Sequence, residues 1–194
     1  MESQNNLPID ADPPEARPIL GDAVARFDRE VDKLFDSLRG NPTADRIFYS
    51  ASAIAENSKI WMVLAIARWF RGNQHRFVAK RAFVAIFVES AVVNLGIKSL
   101  FRRPRPDHSG DHPYELREPW TSSFPSGHAT AAFCAATLLS DGDPLMAPVY
   151  FAMAGIIAAS RVHVKMHHGS DVLAGAIMGT CFGLLGRFLA PSKK

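Results

Sequence analysis

Residues 148–186 read PVYFAMAGIIAASRVHVKMHHGSDVLAGAIMGTCFGLLG, and this stretch decides the fold. It holds two charge-free apolar runs, Pro148 to Ser160 and Val172 to Gly186, with a short polar insert between them. Both runs have helix length and neither alternates as a strand would. So short a connection makes the two helices antiparallel neighbours. The insert carries Arg161, His163, His167, His168 and Asp171, far more chemistry than a turn needs.

Outward from this pair, further apolar segments lie at 46–70, 82–101 and 128–140, beside those at 147–162 and 172–189. A bilayer core takes about 20 mostly apolar residues per helix. Several segments reach that length only with their polar ends, and Glu56 and Glu89 interrupt two of them. A buried helical core in a soluble protein is therefore a rival to a membrane bundle. The mean hydropathy of -0.01 hides an uneven distribution, because residues 1–46 are strongly charged and the later ones are not.

From Gly21 to Arg39, the residues Val24, Phe27, Val31, Leu34, Phe35 and Leu38 form one apolar helical stripe. It either packs on the domain or lies in a membrane interface. Gly40-Asn41-Pro42 ends it. The expected organisation is a flexible polar leader at 1–20, an amphipathic helix and linker at 21–45, a bundle at 46–190 and a basic tail at 191–194. The start, Met1-Glu2-Ser3-Gln4, lacks the regions of a signal peptide, which argues against a secreted soluble protein. A net charge of +3 without interleaved aromatic and basic residues gives no case for nucleic acid. Cys134 and Cys181 both sit in apolar runs and read as free thiols, not as a disulfide or metal site.

Three clusters carry the chemistry. Lys98 precedes Arg105-Pro106; Pro125-Ser126-Gly127-His128 opens a helical run; Ser160-Arg161 is followed by His167 and Asp171. Lys98, Arg105 and Arg161 supply positive charge suited to phosphate oxygens. Ser126 and Gly127 stand where a first helical turn offers free N–H groups to an anion. His128 is placed to protonate a leaving group, since imidazole titrates near neutrality. His167 is the candidate nucleophile, with Asp171 four residues on to orient it. His163 and His167 also have the spacing of helical zinc ligands, although the nearby cations oppose a metal. Glu89 and Asn94 are polar residues in an apolar segment, where such groups pair or line a cavity.

The order and spacing of these clusters resemble the type 2 phosphatidic acid phosphatase superfamily, whose active site is shared with vanadium haloperoxidases. The motif Lys-x6-Arg-Pro, Pro-Ser-Gly-His, Ser-Arg-x5-His-x3-Asp is met at every fixed position, and the resemblance covers roughly residues 46–190. It implies an all-α, multispanning membrane helix bundle of about five apolar helices plus the N-terminal amphipathic helix. It further implies hydrolysis of a lipid phosphate or diphosphate, phosphatidate-like or polyprenyl-linked, through a phosphohistidine. No metal or other cofactor is expected, and the partners are the lipid substrate and the membrane. A vanadate-dependent haloperoxidase and a non-catalytic lipid-phosphate binder or transporter are the alternatives. Arg68, Arg71, Arg76, Lys80 and Arg81 mark a cytoplasmic loop, which puts the three motifs on the opposite, extracytoplasmic face of a bacterial membrane.

Overall fold

Asn41 and Pro42 show how the sequence starts its helices. The Asn41 Oδ1 accepts from the N–H groups of Thr43 (3.0 Å) and Ala44 (3.1 Å), and Pro42 takes the first helical position. The computed structural model describes residues 20–107 and 121–192, and every regular element among them is helical. The leader up to residue 19, residues 108–120 with His108, Asp111 and His112 among them, and Lys193-Lys194 lie outside the described residues.

Helix α1 (Asp22–Asp36) divides its apolar stripe. Phe35 turns inward, edge-on to Phe48 at 5.9 Å and to His163 at 6.2 Å between ring centroids, whereas Phe27, Leu34 and Leu38 stay exposed. Just beyond α1, Arg39 donates from Nε to the His163 carbonyl (2.9 Å) and from Nη2 to the Val162 carbonyl (2.8 Å). A cation on the last carbonyls of a helix is well placed for both hydrogen bonding and the helix dipole.

The 46–70 apolar segment is not one continuous helix. It is two helices, α2 (Pro42–Ile54) and α3 (Lys59–Trp69), parted by a 3₁₀ turn at Glu56–Ser58. Asn57 and Ser58 take left-handed φ values of 53° and 57°, which breaks helical continuity. Helix α4 (Asn73–Ala91) begins well before the apolar segment at 82, so much of the basic stretch expected as a loop is helical. It runs on through a π-helical stretch, Val92–Ile97, and a last turn, Lys98–Leu100. Then come α5 (Gly127–Leu139), α6 (Ala147–His163) and α7 (Gly169–Leu189). Among the described residues, two helices are long and apolar enough to cross a membrane, Asn73–Leu100 and Gly169–Leu189. These two do not establish the full number of about five apolar helices anticipated.

Small residues set the packing. Gly175, Gly179 and Gly183 recur every four residues along α7 and are buried against α5. A Cβ at Gly179 would fall 2.1 Å from the Thr130 carbonyl oxygen, and one at Gly175 would fall 2.6 Å from that of Ser126. The backbones approach too closely for any side chain, as in small-residue packing of membrane helices. The core is rich in alanine, while Phe70, Val84, Phe87, Leu95, Ile177 and Phe188 point outward and exposed. That inversion is what lipid-facing helices present.

The bundle has two chemically distinct ends. At one, Arg81 pairs with Asp141 (2.5 Å) and donates to the Ala190 carbonyl (2.7 Å), and Arg71 pairs with Asp143. The basic stretch, the α5–α6 connection and the end of α7 therefore meet. Lys98 lies at the far end of α4, roughly 25 Å away at 1.5 Å rise per residue.

Candidate active site

The turn Pro125-Ser126-Gly127-His128 is pinned from two sides. The Ser126 N–H donates to the Asp171 carbonyl (3.0 Å), which joins the start of α5 to the start of α7. The Ser126 side chain caps α5 by accepting from the Ala129 N–H at 3.5 Å, a long bond. Thr130 Oγ1 donates back to the Ser126 carbonyl at 2.8 Å. The free N–H groups of the first α5 turn thus belong to a fixed platform beside Lys98.

A cavity of about 290 Å³ opens against that platform, with Ser90, Asn94, Lys98, Gly127, His128 and His167 in its wall. Ser90, Asn94 and Lys98 fall at four-residue intervals, and the π-helical stretch carries this row into the cavity. Such stretches often accompany functional sites. Asn94 Nδ2 donates to Ser90 Oγ at 3.1 Å. A Cβ at Gly127 would lie 3.5 Å from Asn94 Oδ1 and 3.6 Å from Lys98 Nζ, so glycine keeps the space beside the ammonium clear.

The expected cations gather here at different depths. Lys98 is buried, with Nζ 3.4 Å from Thr121 Oγ1. Arg105 donates from Nη1 to the Met166 carbonyl (2.5 Å) and from Nη2 to the Thr121 carbonyl (3.1 Å); Nη1 also lies 3.4 Å from His167 Nε2. Arg161 is buried behind the wall and donates to Ser52 Oγ, while its Nε has no partner among the described residues. Clustered buried cations are costly without compensation, and an incoming anion supplies it.

His167 is held differently from the sequence expectation. Its Nδ1 lies 2.7 Å from the Ser123 carbonyl and 3.7 Å from Asp171 Oδ2. A carbonyl only accepts, so Nδ1 carries the proton and Nε2 keeps its lone pair facing Arg105 and the cavity. Asp171 spends Oδ2 on Ser123 Oγ (2.5 Å) and the His168 N–H (2.9 Å), and Oδ1 on Arg103 Nη1 (2.5 Å). The carboxylate orients the ring largely through Ser123. Burial above all pushes the His167 pKa down to about 3; the Asp171 carboxylate works against this, and the Arg161 and Arg105 cations reinforce it.

The structure thus brings Lys98, Gly127, His128 and His167 to one cavity, with Ser126, Arg105, Arg161 and Asp171 directly behind them. The helical histidine pair does not converge: His163 turns to Asp45, with Nε2 2.7 Å from Oδ1. Half-buried His168 places Nε2 3.2 Å from the Pro104 carbonyl. Sequence reasoning missed Ser123 and Asp28, and read Arg103 as suited to an anionic headgroup or an interfacial anchor rather than as a partner of Asp171. Arg103 sits between fixed motif positions, and Asp28 looked like one charge among many on a solvated helix face. Glu89 is fully buried, and neither of its carboxylate oxygens has a hydrogen-bond partner among the described residues.

The profile of the PAP2 superfamily matches residues 79–191. The chain is 34% identical over 130 residues to a decaprenylphosphoryl-5-phosphoribose phosphatase of Mycobacterium tuberculosis, covering 64% of this chain and 68% of that one. It is 35% identical over 111 residues to a lipid A 1-phosphatase of Rhizobium johnstonii, covering 53% of this chain and 44% of that one. Among solved structures, a transmembrane PAP2 type phosphatidylglycerolphosphate phosphatase from Bacillus subtilis superposes with a TM-score of 0.69 at 21% identity, covering 91% of this chain and 90% of that one. Aquifex aeolicus LpxE superposes with a TM-score of 0.66 at 25% identity, covering 84% and 93% respectively.

Proposed function

The chain belongs to the PAP2 superfamily, and on that premise we propose that it hydrolyses a membrane lipid phosphate or diphosphate through a phosphohistidine on His167. It is an enzyme of the phosphatase class, as its named relatives are. The observation that carries the reading is the unprotonated Nε2 of His167 in the same cavity wall as His128, Lys98 and the α5 amides.

In the proposed reaction Lys98, Arg105, Arg161 and the first-turn N–H groups of α5, with Ser126 and Gly127, hold the phosphate oxygens. They stabilise charge where it develops in the transition state. His167 Nε2 attacks phosphorus, a P–N bond forms and the ester P–O bond breaks. His128 gives its proton to the departing alkoxide. His128 then takes a proton from water, which attacks phosphorus and breaks the P–N bond, releasing inorganic phosphate and neutral His167. Charge neutralisation comes from the protein's own cations, so no metal enters the scheme.

The substrate class is a phosphate on a phosphatidate-like or polyprenyl-linked lipid. Support comes from the relatives' named substrates and from the many exposed apolar side chains of the helices, which would hold the cavity at a lipid surface. The bundle is proposed to cross the membrane several times, with the cavity end extracytoplasmic. Detergent-purified protein assayed against a panel of lipid phosphates, with phosphate release as readout, tests the reading. Release from at least one lipid, unaffected by EDTA and inhibited by orthovanadate, is expected. No release from any lipid sinks it; EDTA-sensitive release refutes the metal-free scheme.

A further inference from the structure

Asp28, on the N-terminal helix that lies outside the motif region, is buried although much of α1 around it is exposed. Its two oxygens receive Arg103 Nη2 (2.5 Å), the Ser170 N–H (2.7 Å) and Ser170 Oγ (3.0 Å). The other arm of the same guanidinium, Nη1, donates to Asp171 Oδ1 (2.5 Å) and Ser170 Oγ (2.8 Å). One planar fork therefore spans two carboxylates on different helices, a task lysine's single ammonium cannot perform. The backbone of Arg103 is tied as well. Its N–H donates to Ser122 Oγ (3.2 Å) and its carbonyl accepts from the Ser123 N–H (3.0 Å). Arg103 thus holds both groups that orient the His167 ring: the Asp171 carboxylate and the segment bearing the Ser123 carbonyl.

We infer that Asp28 is a positioning residue for the phosphatase reaction, so that α1 completes an active site whose reacting groups all lie in the bundle. The inference rests on His167 being the nucleophile. Without Asp28, Nη2 of Arg103 loses its carboxylate partner in a largely buried place, and the guanidinium is free to swing away from Asp171. The His167 ring then samples orientations that do not attack. The phosphate contacts are left in place, because Asp28 and Arg103 are absent from the wall of the phosphate cavity and line instead a neighbouring cavity of about 420 Å³ on the other side of His167. The effect falls on kcat rather than on KM.

The test uses the full chain in mixed micelles with the same panel of lipid phosphates, a short-chain phosphatidate among them, recording kcat, KM and thermal melting for wild type, Asp28→Asn, Arg103→Lys, their double variant, Ser170→Ala and His167→Ala. Asp28→Asn should lower kcat about tenfold to a hundredfold, the range for misplacement of a reacting group. KM should shift by less than about threefold. The double variant should be no slower than the slower single one, because the two residues act in series. If Asp28→Asn does not fold, Ser170→Ala carries the test: it removes one hydroxyl from the cluster and should still lower kcat by several-fold. An unchanged kcat, a rise in KM alone, or additive losses in the double variant overturn the inference. A wild type as inactive as His167→Ala sinks the phosphatase reading and this inference with it. An active wild type, a dead His167→Ala and a normal Asp28→Asn sink the inference alone.

Discussion

His167 Nδ1 and Asp171 Oδ2 stand 3.7 Å apart, in ion-pair range but beyond a hydrogen bond, because the Ser123 carbonyl accepts the hydrogen bond from Nδ1–H at 2.7 Å. The familiar arrangement has a carboxylate directly on the ring and fixes the tautomer through a side chain. Here a backbone carbonyl does so, and the carboxylate holds the Ser123 hydroxyl and the first turn of α7.

His167→Ala is expected to abolish phosphate release. Asp171→Asn should cost about a hundredfold in kcat, less than the roughly 10⁴-fold loss when a triad carboxylate alone fixes the tautomer. Phosphate-release kinetics on the two variants decide it. A loss as large as that of His167→Ala would show that Asp171 contacts the ring directly during turnover.

His128 shares the cavity wall with His167 and is assigned to protonation of the leaving group. His128→Ala should slow release from an alkyl lipid phosphate by roughly 10²–10⁴-fold, the usual worth of a positioned acid. An activated aryl phosphate, whose leaving group needs no proton, should be affected far less. Equal losses on both substrates would remove His128 from that role.

The α5–α7 contact gives a stability prediction. A Cβ at Gly179 meets the Thr130 carbonyl oxygen at 2.1 Å, whereas one at Gly155 meets nothing within 4 Å. Gly179→Ala should destabilise the protein by about 1–3 kcal/mol, the range for overpacking. It should also disturb the Ser126 turn, which sits on the same contact. Gly155→Ala should leave melting in detergent unchanged. Equal melting of the two variants would contradict the packing.

The pH dependence of stability follows from the pKa of about 3 at His167, against about 6.5 for an unperturbed imidazole. Between these values the unfolded chain binds a proton that the folded chain refuses. Stability from this group is fully present above about pH 6.5 and is lost as pH falls towards 3, at up to about 1.4 kcal/mol per pH unit. His167→Asn keeps an N–H for the Ser123 carbonyl but cannot titrate. Melting temperature measured from pH 7 to pH 4 should fall less steeply for that variant than for wild type. Parallel curves would mean that His167 titrates normally.

The reacting residues were legible because each is a chemically unusual type at a fixed spacing: Lys98, Arg105, His128 and His167 need no tertiary information to be noticed. What orients them was not. Asp28 and Arg103 are separated in sequence by the three helices α2, α3 and α4, and their pairing exists only once α1 docks. The break at Asn57-Ser58 was hidden too, since non-glycine residues at positive φ leave no strong mark in a sequence. Likewise the basic start of α4 read as a loop. Lys80 lies over the Trp69 ring at 5.4 Å and Arg81 reaches Asp141, contacts that let charged residues continue an apolar helix.

The last prediction concerns sidedness. Arg71, Arg81, Asp141 and Asp143 gather at one end of the bundle, and the cavity with Lys98 and His167 lies towards the other. An excess of arginine and lysine marks the cytoplasmic side. Single cysteines introduced at Asn73 and Ser109, in a background lacking Cys134 and Cys181, should therefore differ in labelling. Position 73 belongs to the basic end, and position 109 follows the first motif, outside the described residues. In intact cells an impermeant maleimide should modify position 109 and spare position 73, with both modified after lysis. Labelling of position 73 alone would reverse the orientation, and protection of both until lysis would place the cavity inside. Recovery of the protein in the soluble fraction without detergent would show that the exposed apolar faces of α4 and α7 are covered by protein rather than lipid.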